Sequence, residues 1–320
     1  MQTSKPLVVI RCLTFNHEAY IRDTIEGFIM QKTTFPFVAI IHDDASTDGT
    51  ASIIEKYASK YPDIIKPIIE KENQYSKHDG SLRRIINQAC ENTGAKYVAM
   101  CEGDDYWTDS DKLQMQVDFL ESHPDYSMCF HRVDIIDQDT SRIDSGCSVV
   151  ESKDYEHHEM QSRLNVPTCS TVFRIECILN SPADKDFIVG DNVLWATCRS
   201  MGKVRGFDRV MGVYRRVSTG WTAQFTKLGK QKYYDLNFAW IKHRQAMKRH
   251  FPDIKPQILD KIIMENMAII SILDARIYHR NFSKNFKQFY SEYGIRYVGA
   301  IAKVIANSAS NKVKAFLHCS

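Results

Sequence analysis

No stretch of this 320-residue sequence approaches the roughly 18 apolar residues that a membrane-spanning helix requires, so no span is expected. No C-x-x-C pair occurs among the nine cysteines, at 12, 90, 101, 129, 147, 169, 177, 198 and 319, which excludes a zinc ribbon and a dithiol redox motif. Several of them sit inside apolar runs, where reduced buried thiols are expected, and a reducing cytosol follows from that usage. There is no strong charge of one sign. Forty-two Lys and Arg against 39 Asp and Glu leave a net charge of +3, too little to argue for nucleic acid. The chain reaches a strand-like run by Leu7 without a basic stretch and apolar segment, so no signal peptide is expected. In a cytosolic protein the Asn281-Phe282-Ser283 sequon would carry no role. No internal repeat is visible. At 43% hydrophobic and 25% charged, the composition is that of an ordinary globular protein.

What is present is concentrated in two acidic clusters, His42-Asp43-Asp44 and Glu102-Gly103-Asp104-Asp105. Each follows a short apolar run, Phe37 to Ile41 and Tyr97 to Cys101, of the kind that forms buried strands of a parallel sheet. Open α/β sheets bind ligands just past the carboxyl ends of their strands. Clustered carboxylates repel one another, and folding alone gives no reason to gather them. A hard divalent cation, which takes oxygen ligands and bridges to phosphates, relieves that repulsion.

The first 135 residues alternate strand and helix signals. Leu7 to Leu13 reads as a strand, followed by a helix with Ile21, Ile25, Phe28 and Ile29 on one face. After the second strand, Ser46 to Thr50 offers N-cap candidates for a helix carrying Ile53, Ile54 and Tyr57. Ile64 to Ile69 is a third strand, with Pro67 as a kink. Leu82, Ile85, Ile86, Ala89 and Cys90 mark an amphipathic helix. A fourth strand leads to the second cluster, and Asp109 or Ser110 is expected to cap the next helix, with Leu113, Val117 and Leu120 inward. This β-α-β series predicts a mostly parallel sheet with right-handed crossovers and helices on both faces. Residues 137 to 165 are polar and irregular, and strand-like runs return at Thr168 to Phe173 and Val204 to Tyr214. From about Ala223 the chain reads as helices, giving an expected division into 1–220 and 221–320.

Four ordered motifs resemble the family 2 glycosyltransferases of the GT-A fold, inverting enzymes that use nucleotide sugars. Thr14-Phe15-Asn16-His17-Glu18-Ala19-Tyr20-Ile21 is similar to the family's first strand-to-helix turn, which borders the nucleotide base. Asp43-Asp44-Ala45-Ser46-Thr47-Asp48-Gly49-Thr50 is close to D-D-G-S-x-D-x-T, with alanine for the usual glycine. Glu102-Gly103-Asp104-Asp105-Tyr106-Trp107 resembles the D-x-D metal motif with Glu first. Gly190-Asp191-Asn192-Val193-Leu194-Trp195 resembles the E-D motif of the catalytic base, with Gly190 where Glu is usual. The resemblance covers about the first 220 residues and implies a Rossmann-like catalytic domain followed by a helical extension.

It also implies roles. Asp104 would ligate Mn²⁺ or Mg²⁺, with Glu102 assisting and Asp105 orienting the donor sugar; on the plainer reading these carboxylates cap the following helix. Asp44 and Asp43 would accept a hydrogen bond from base or ribose, a uracil N3–H being a suitable donor, with Thr14 and Asn16 completing the pocket. The plainer reading is an ordinary strand-to-helix turn. Asp191 would be the general base, or simply an N-cap. Arg83 or Arg84 would meet the diphosphate, and Arg215 and Arg216 lie where the family often has Tyr-Arg-x-His near the phosphates, with Val217 replacing the His. Trp107 and Trp221 would stack on sugar or pack in the core; His157-His158 reads as a surface pair. The implied function is metal-dependent transfer from a nucleoside-diphosphate sugar, UDP-linked, to a hydroxyl of a glycan or lipid-linked acceptor in cell-surface polysaccharide synthesis. A catalytically silent nucleotide-sugar-binding scaffold is the alternative that Gly190 keeps open. A phosphohydrolase would need a carboxylate directly after the first strand, and Arg11-Cys12-Leu13-Thr14 has none. The expected location is cytoplasmic, peripheral at the inner membrane face if the basic, aromatic C-terminal helices touch the bilayer, and the apolar tail would equally suit a homodimer.

Overall fold

Val8–Thr14 (β1) is the centre of the fold in the computed structural model, which describes residues 5–137, 142–144, 150–161, 166–217, 229–274 and 282–309. Val8, Ile10 and Cys12 face one side of β1 and Val9 the other, and all four are fully buried. Burial on both faces is what a central parallel strand requires. β1 pairs in parallel with Phe37–Asp43 (β2) on one flank and Tyr97–Met100 (β4) on the other. β2 pairs in parallel with Ile65–Ile69 (β3). That strand lies at the sheet edge, where Pro67 fits because no further strand needs its missing N–H.

Helices cover both faces. Ile21–Ile29 (α1), Thr50–Lys60 (α2) and, further on, Lys112–Ser122 (α4) pack Ile25, Phe28, Ile54, Leu113 and Val117 with Val8 and Ile10. Ser81–Asn92 (α3) packs Ile86 and Cys90 on the Val9 side. Asp111, not Asp109 or Ser110, occupies the cap position of α4; Asp109 accepts from the Asp111 N–H at 2.9 Å and so shapes the preceding turn.

Beyond β4 the sheet becomes mixed. Tyr106–Trp107 (β5), Tyr126–Asp137 (β6), Arg142–Asp144 (β7), Val172–Arg174 (β8) and Lys203–Arg216 (β9) extend it in the order β3-β2-β1-β4-β8-β6-β9-β5, with β7 on β6. β8 runs antiparallel to β4 and β6, β5 antiparallel to β9, and β6 parallel to β9. The short helices His157–Gln161 (α5) and Glu176–Leu179 (α6) precede Gly190–Met201 (α7).

The described chain falls into two compact units, within Met1–Ser181 plus Leu194–Ala223 and within Pro182–Val193 plus Gln224–Ser320. The second is helical: Lys230–His250 (α8), Pro256–Leu273 (α9), Phe282–Tyr293 (α10) and Ile295–Ala309 (α11) enclose Ile263, Met267, Ile270, Phe289 and Tyr297. Segment 182–193 joins it through Arg249, whose guanidinium reaches Asp184 at 2.9 Å and Asp186 at 3.1 Å. No helix among the described residues is long and apolar enough to cross a membrane.

Candidate functional site

β1, β2 and β3 end abreast, with Thr14 opposite Asp43 and Asp43 opposite Ile69, and β4 stops at Met100, opposite Arg11. The turns that follow β1 and β2 are stitched together. Asn16 N–H donates to Ser46 Oγ (2.8 Å), Thr47 N–H to Asn16 Oδ1 (2.8 Å), His17 N–H to Thr50 Oγ1 (2.9 Å) and Glu18 N–H to Asp48 Oδ2 (3.1 Å). These bonds explain why Asn, Ser, Thr and Asp recur in both turns: their side chains satisfy backbone donors that neither helix nor sheet reaches. Asn16 and Ala45 hold left-handed backbones, with φ of 55° and 62°. Asp48 titrates below the ordinary carboxylate range: partial burial, which would raise it, is outweighed by hydrogen bonds from Thr50.

Inside this frame the five acidic residues have different surroundings. Asp43 is buried and accepts from Ser46 N–H (3.1 Å) and the Ser46 hydroxyl. Asp44 is also buried, and its two oxygens take the N–H groups of Gln74 (2.6 Å) and Tyr75 (3.0 Å). It therefore ties down the loop after β3, and only the remaining lone pairs of its oxygens are left for a base or ribose. Glu102 turns back onto β1, accepting from Leu13 N–H at 3.0 Å, with Arg11 Nη1 at 3.9 Å. Asp105 is 2% exposed and accepts from Arg215 N–H at 2.8 Å. Burial, then repulsion from Asp104, pushes its carboxyl well up. Its carboxyl is turned into the interior, onto the Arg215 backbone. The Asp104 carboxylate, half-exposed, has no hydrogen-bond or ion-pair partner among the described residues.

The loop that carries Asp104 is held from several sides. Gly103 N–H donates to Leu13 C=O (2.8 Å), and the Thr24 hydroxyl of α1 donates to the carbonyls of Gly103 (3.0 Å) and Asp105 (2.6 Å). Thr24 escaped the sequence reading, although a threonine on the apolar face of a helix signals a hydroxyl in need of an acceptor. Thr14 Oγ1 and His17 Nδ1 are buried beside Gly103 without hydrogen-bond partners among the described residues. Desolvation lowers the His17 pKa, with Asp104 opposing the shift, so its ring is held toward the neutral form.

Arg215 was expected near phosphates. Its guanidinium donates to the Asp104 carbonyl (2.9 Å), pairs with Asp23 and lies over the rings of Tyr106 (4.3 Å) and Tyr20 (5.3 Å). Arg84 is exposed and donates to the Asp79 carbonyl at 2.8 Å, while Arg83 donates to the Ser181 carbonyl. Trp107 is core: it is 2% exposed, 5.0 Å from Phe28 between ring centroids, and donates from Nε1 to Cys169 C=O at 2.7 Å. Trp221 lies outside the described residues. The pair at 157–158 is not a surface pair, since His157 is buried and only His158 exposed. Asp191 is the second residue of α7 and belongs with segment 182–193; its Oδ1 accepts from Asn192 N–H at 2.9 Å, and burial raises its pKa.

Among the described residues no three His, Cys, Asp or Glu side chains converge as a closed metal cage. A single unpartnered carboxylate at a strand end fits a cation of the Mg²⁺ or Mn²⁺ type, which is held by one or two carboxylates and completes its shell with water and substrate phosphates.

The glycosyl transferase family 2 model matches residues 11–176. The uncharacterized protein Rv1520 of Mycobacterium tuberculosis (strain ATCC 25618 / H37Rv) is 35% identical over 216 residues, covering 67% of this chain and 60% of that protein. TuaG of Bacillus subtilis (strain 168), which carries the name of a teichuronic acid biosynthesis glycosyltransferase, is 31% identical over 156 residues, 49% of this chain and 58% of TuaG. The chain thus spans about 60% of the length of the first curated relatives it matches. Among solved structures, Staphylococcus aureus TarS 1-349 with UDP-GlcNAc superposes with a TM-score of 0.58 at 16% identity, over 92% of this chain and 80% of that one. The mannosyltransferase PcManGT of Pyrobaculum calidifontis, solved with GDP-Man and Mn²⁺, gives 0.57 at 15% identity, over 98% and 84%. At these identities the likeness is one of fold.

Proposed function

We propose, for a chain that belongs to glycosyl transferase family 2, that it transfers a sugar from a nucleoside-diphosphate donor to a hydroxyl of a glycan or lipid-linked acceptor, with inversion, in cell-surface polysaccharide synthesis. The observation that carries this reading is Asp104: an unpartnered carboxylate on a loop fastened at three consecutive residues, beside the buried Thr14 hydroxyl. Asp104 would hold Mn²⁺ or Mg²⁺ against the donor diphosphate, and the ion when bound would neutralise charge on the leaving phosphate. Glu102 and Asp105 set the loop. Thr14 and Asn16 border the nucleotide, with Asp43 and Asp44 fixing the walls of that pocket and offering spare lone pairs to a base N–H; a uracil base fits that donor–acceptor pattern. Arg84, exposed beside Asp79, stands available to the donor phosphates once that pair opens.

Asp191 is the proposed base. It would take the proton of the acceptor hydroxyl as that oxygen attacks the anomeric carbon and the carbon–oxygen bond to the diphosphate breaks. The burial that raises its pKa brings it closer to the range in which a carboxylate accepts a proton efficiently near neutrality. The second reading, a silent nucleotide-sugar-binding scaffold, draws on Gly190 at the position where the motif usually has Glu. Two variants separate them. Asp104→Asn should abolish metal-dependent donor binding. Asp191→Asn should keep that binding and lose about 10²- to 10⁴-fold in turnover. A wild type that binds donor yet never turns over any acceptor or water leaves the scaffold standing.

A cytoplasmic enzyme of this kind would meet lipid-linked acceptors at the membrane face. The α11 helix leaves Ile295 and Val298 exposed, next to Arg296, as a surface for an anionic bilayer; a second copy of the chain is the other candidate occupant. Co-flotation with anionic vesicles, against concentration-dependent dimerisation, distinguishes the two.

A further inference from the structure

We propose that Arg215 is a positioning residue that sets the aim of the Asp104 carboxylate and does not itself hold the donor; the inference rests on the metal role assigned to Asp104 above. Arg215 grips the acidic loop at two successive residues, on the carboxyl side of the Asp104 α-carbon. Its Nη1 donates to the Asp104 carbonyl at 2.9 Å, and its backbone N–H donates to Asp105 Oδ1 at 2.8 Å. The other arm of the guanidinium is anchored on Asp23, in the first turn of α1, and the side chain is 8% exposed. Tyr106 and Tyr20 lie against it, with centroids 4.3 and 5.3 Å from the guanidinium carbon.

Three consequences follow from that geometry. The Asp23 carboxylate cancels the positive charge of Arg215, so little field is left over for a diphosphate. The fork is used in two directions, onto a carbonyl and a carboxylate, which a lysine ammonium cannot reproduce with fixed geometry. The peptide after Asp104 and the Asp105 side chain are both held, which fixes the backbone from which the Asp104 side chain projects. The Asp23 side chain is 53% exposed.

The clamp is tested with the full chain and four proteins: wild type, Arg215→Lys, Asp23→Asn and the double variant. Mn²⁺ is titrated by calorimetry in the presence of UDP, and separately of GDP. A clamp predicts that each single variant raises the Mn²⁺ requirement about tenfold, the order of one charge-assisted hydrogen bond. It also predicts that the double variant is no worse than Arg215→Lys, because both substitutions remove one interaction. Unchanged or tighter Mn²⁺ binding by Asp23→Asn, or effects that multiply to roughly a hundredfold in the double variant, would identify Arg215 as an independent anion ligand and overturn the proposal. A wild type that binds nucleotide with no response to Mn²⁺ overturns the metal reading instead. In that event amide hydrogen exchange decides the clamp alone: faster exchange at Gly103 to Tyr106 in both single variants supports it, and unchanged exchange refutes it.

Discussion

Gly103 is where the fold leaves no room. A Cβ built there would stand 2.6 Å from Thr14 Oγ1, 2.7 Å from Thr14 Cβ and 2.9 Å from His17 Nδ1. Thr14 cannot retreat, because it is buried and its backbone is registered against Asp43 in β2. Rotating the hydroxyl would relieve the first contact and leave the second, since the backbone fixes Cβ. Ordinary contact begins near 3.4 Å, so Gly103→Ala must displace the loop by about 3.4 − 2.7 = 0.7 Å. Overpacking of this kind costs about 1–3 kcal/mol. For a domain of this size that lowers the melting midpoint by roughly 2–12 °C. Asp104 moves with its neighbour, and misplacement of a binding group on the order of 1 Å can cost ~100-fold. Thermal melts and Mn²⁺ titrations with nucleotide present should thus both change, the second by more than tenfold on that scale. Thr14→Ala in the Gly103→Ala background removes the oxygen but keeps Cβ, and should restore little. A Gly103→Ala protein with wild-type midpoint and wild-type binding would refute the steric reasoning, and full rescue by Thr14→Ala would locate the conflict in the hydroxyl alone.

Other residues make separate predictions. Ala45 holds φ of 62°, a conformation costing an L-residue about 1–2 kcal/mol, while glycine loses about 0.4–1 kcal/mol through the unfolded chain; Ala45→Gly should stabilise by roughly the difference, read as a higher urea midpoint with the same slope. Lys112 is buried, its Nζ without a hydrogen-bond partner among the described residues and 4.0 Å from the Trp107 centroid, and burial pulls its pKa from 10.5 to about 8. The unfolded chain therefore binds more protons between those values, so stability gains from this group as pH rises from 8 to 10.5, and its penalty is fully present below 8. That penalty, up to about 3 kcal/mol at 1.36 kcal/mol per pKa unit, exceeds the ~2 kcal/mol of a desolvated cation–π contact. Lys112→Met should raise the melting midpoint at pH 7, and its advantage over wild type should shrink toward pH 10; a pH-independent difference would argue against a charged Lys112. A Cβ on Gly190 meets nothing within 4 Å among the described residues, so Gly190→Glu should fold normally, with the helix gaining about 0.5–1 kcal/mol from replacing its glycine; a lower midpoint would show that Gly190 is required there.

The parallel half of the sheet was legible because β1, β2 and β4 are apolar on both faces, and because α1 and α3 repeat their apolar residues at helical spacing. β6 went unread, since His131, Arg132 and Asp134 interrupt its pattern, although His131 is fully buried. β5, with two residues, is made by its pairing with β9 and has no local signature. The same division holds at the site. Local sequence located the acidic clusters, because strand ends fix where loops emerge. It could not distinguish the five carboxylates, because apart from the local Ser46 on Asp43 their partners are remote: Asp44 is claimed by Gln74 and Tyr75, Glu102 by Leu13, and Asp105 by Arg215, 110 residues away. Only pairing across the fold leaves Asp104 as the unclaimed member. The buried Lys112 was likewise hidden, since its neighbours Leu113 and Gln116 mark an inward face that a lysine is not expected to share.

The measurement closest to the central claim is a thermal-shift screen of UDP- and GDP-sugars against the purified chain, in Mn²⁺ and in EDTA, with Asp104→Asn in parallel. Metal-dependent donor binding through Asp104 predicts that one nucleotide class raises the midpoint in Mn²⁺ and not in EDTA. The stabilisation should be about 2.7 kcal/mol at a hundredfold excess over the dissociation constant, and Asp104→Asn should not respond. A shift of equal size in EDTA, or in Asp104→Asn, would contradict the assignment of the metal to Asp104. The absence of any shift across the screen would contradict nucleotide-sugar binding itself.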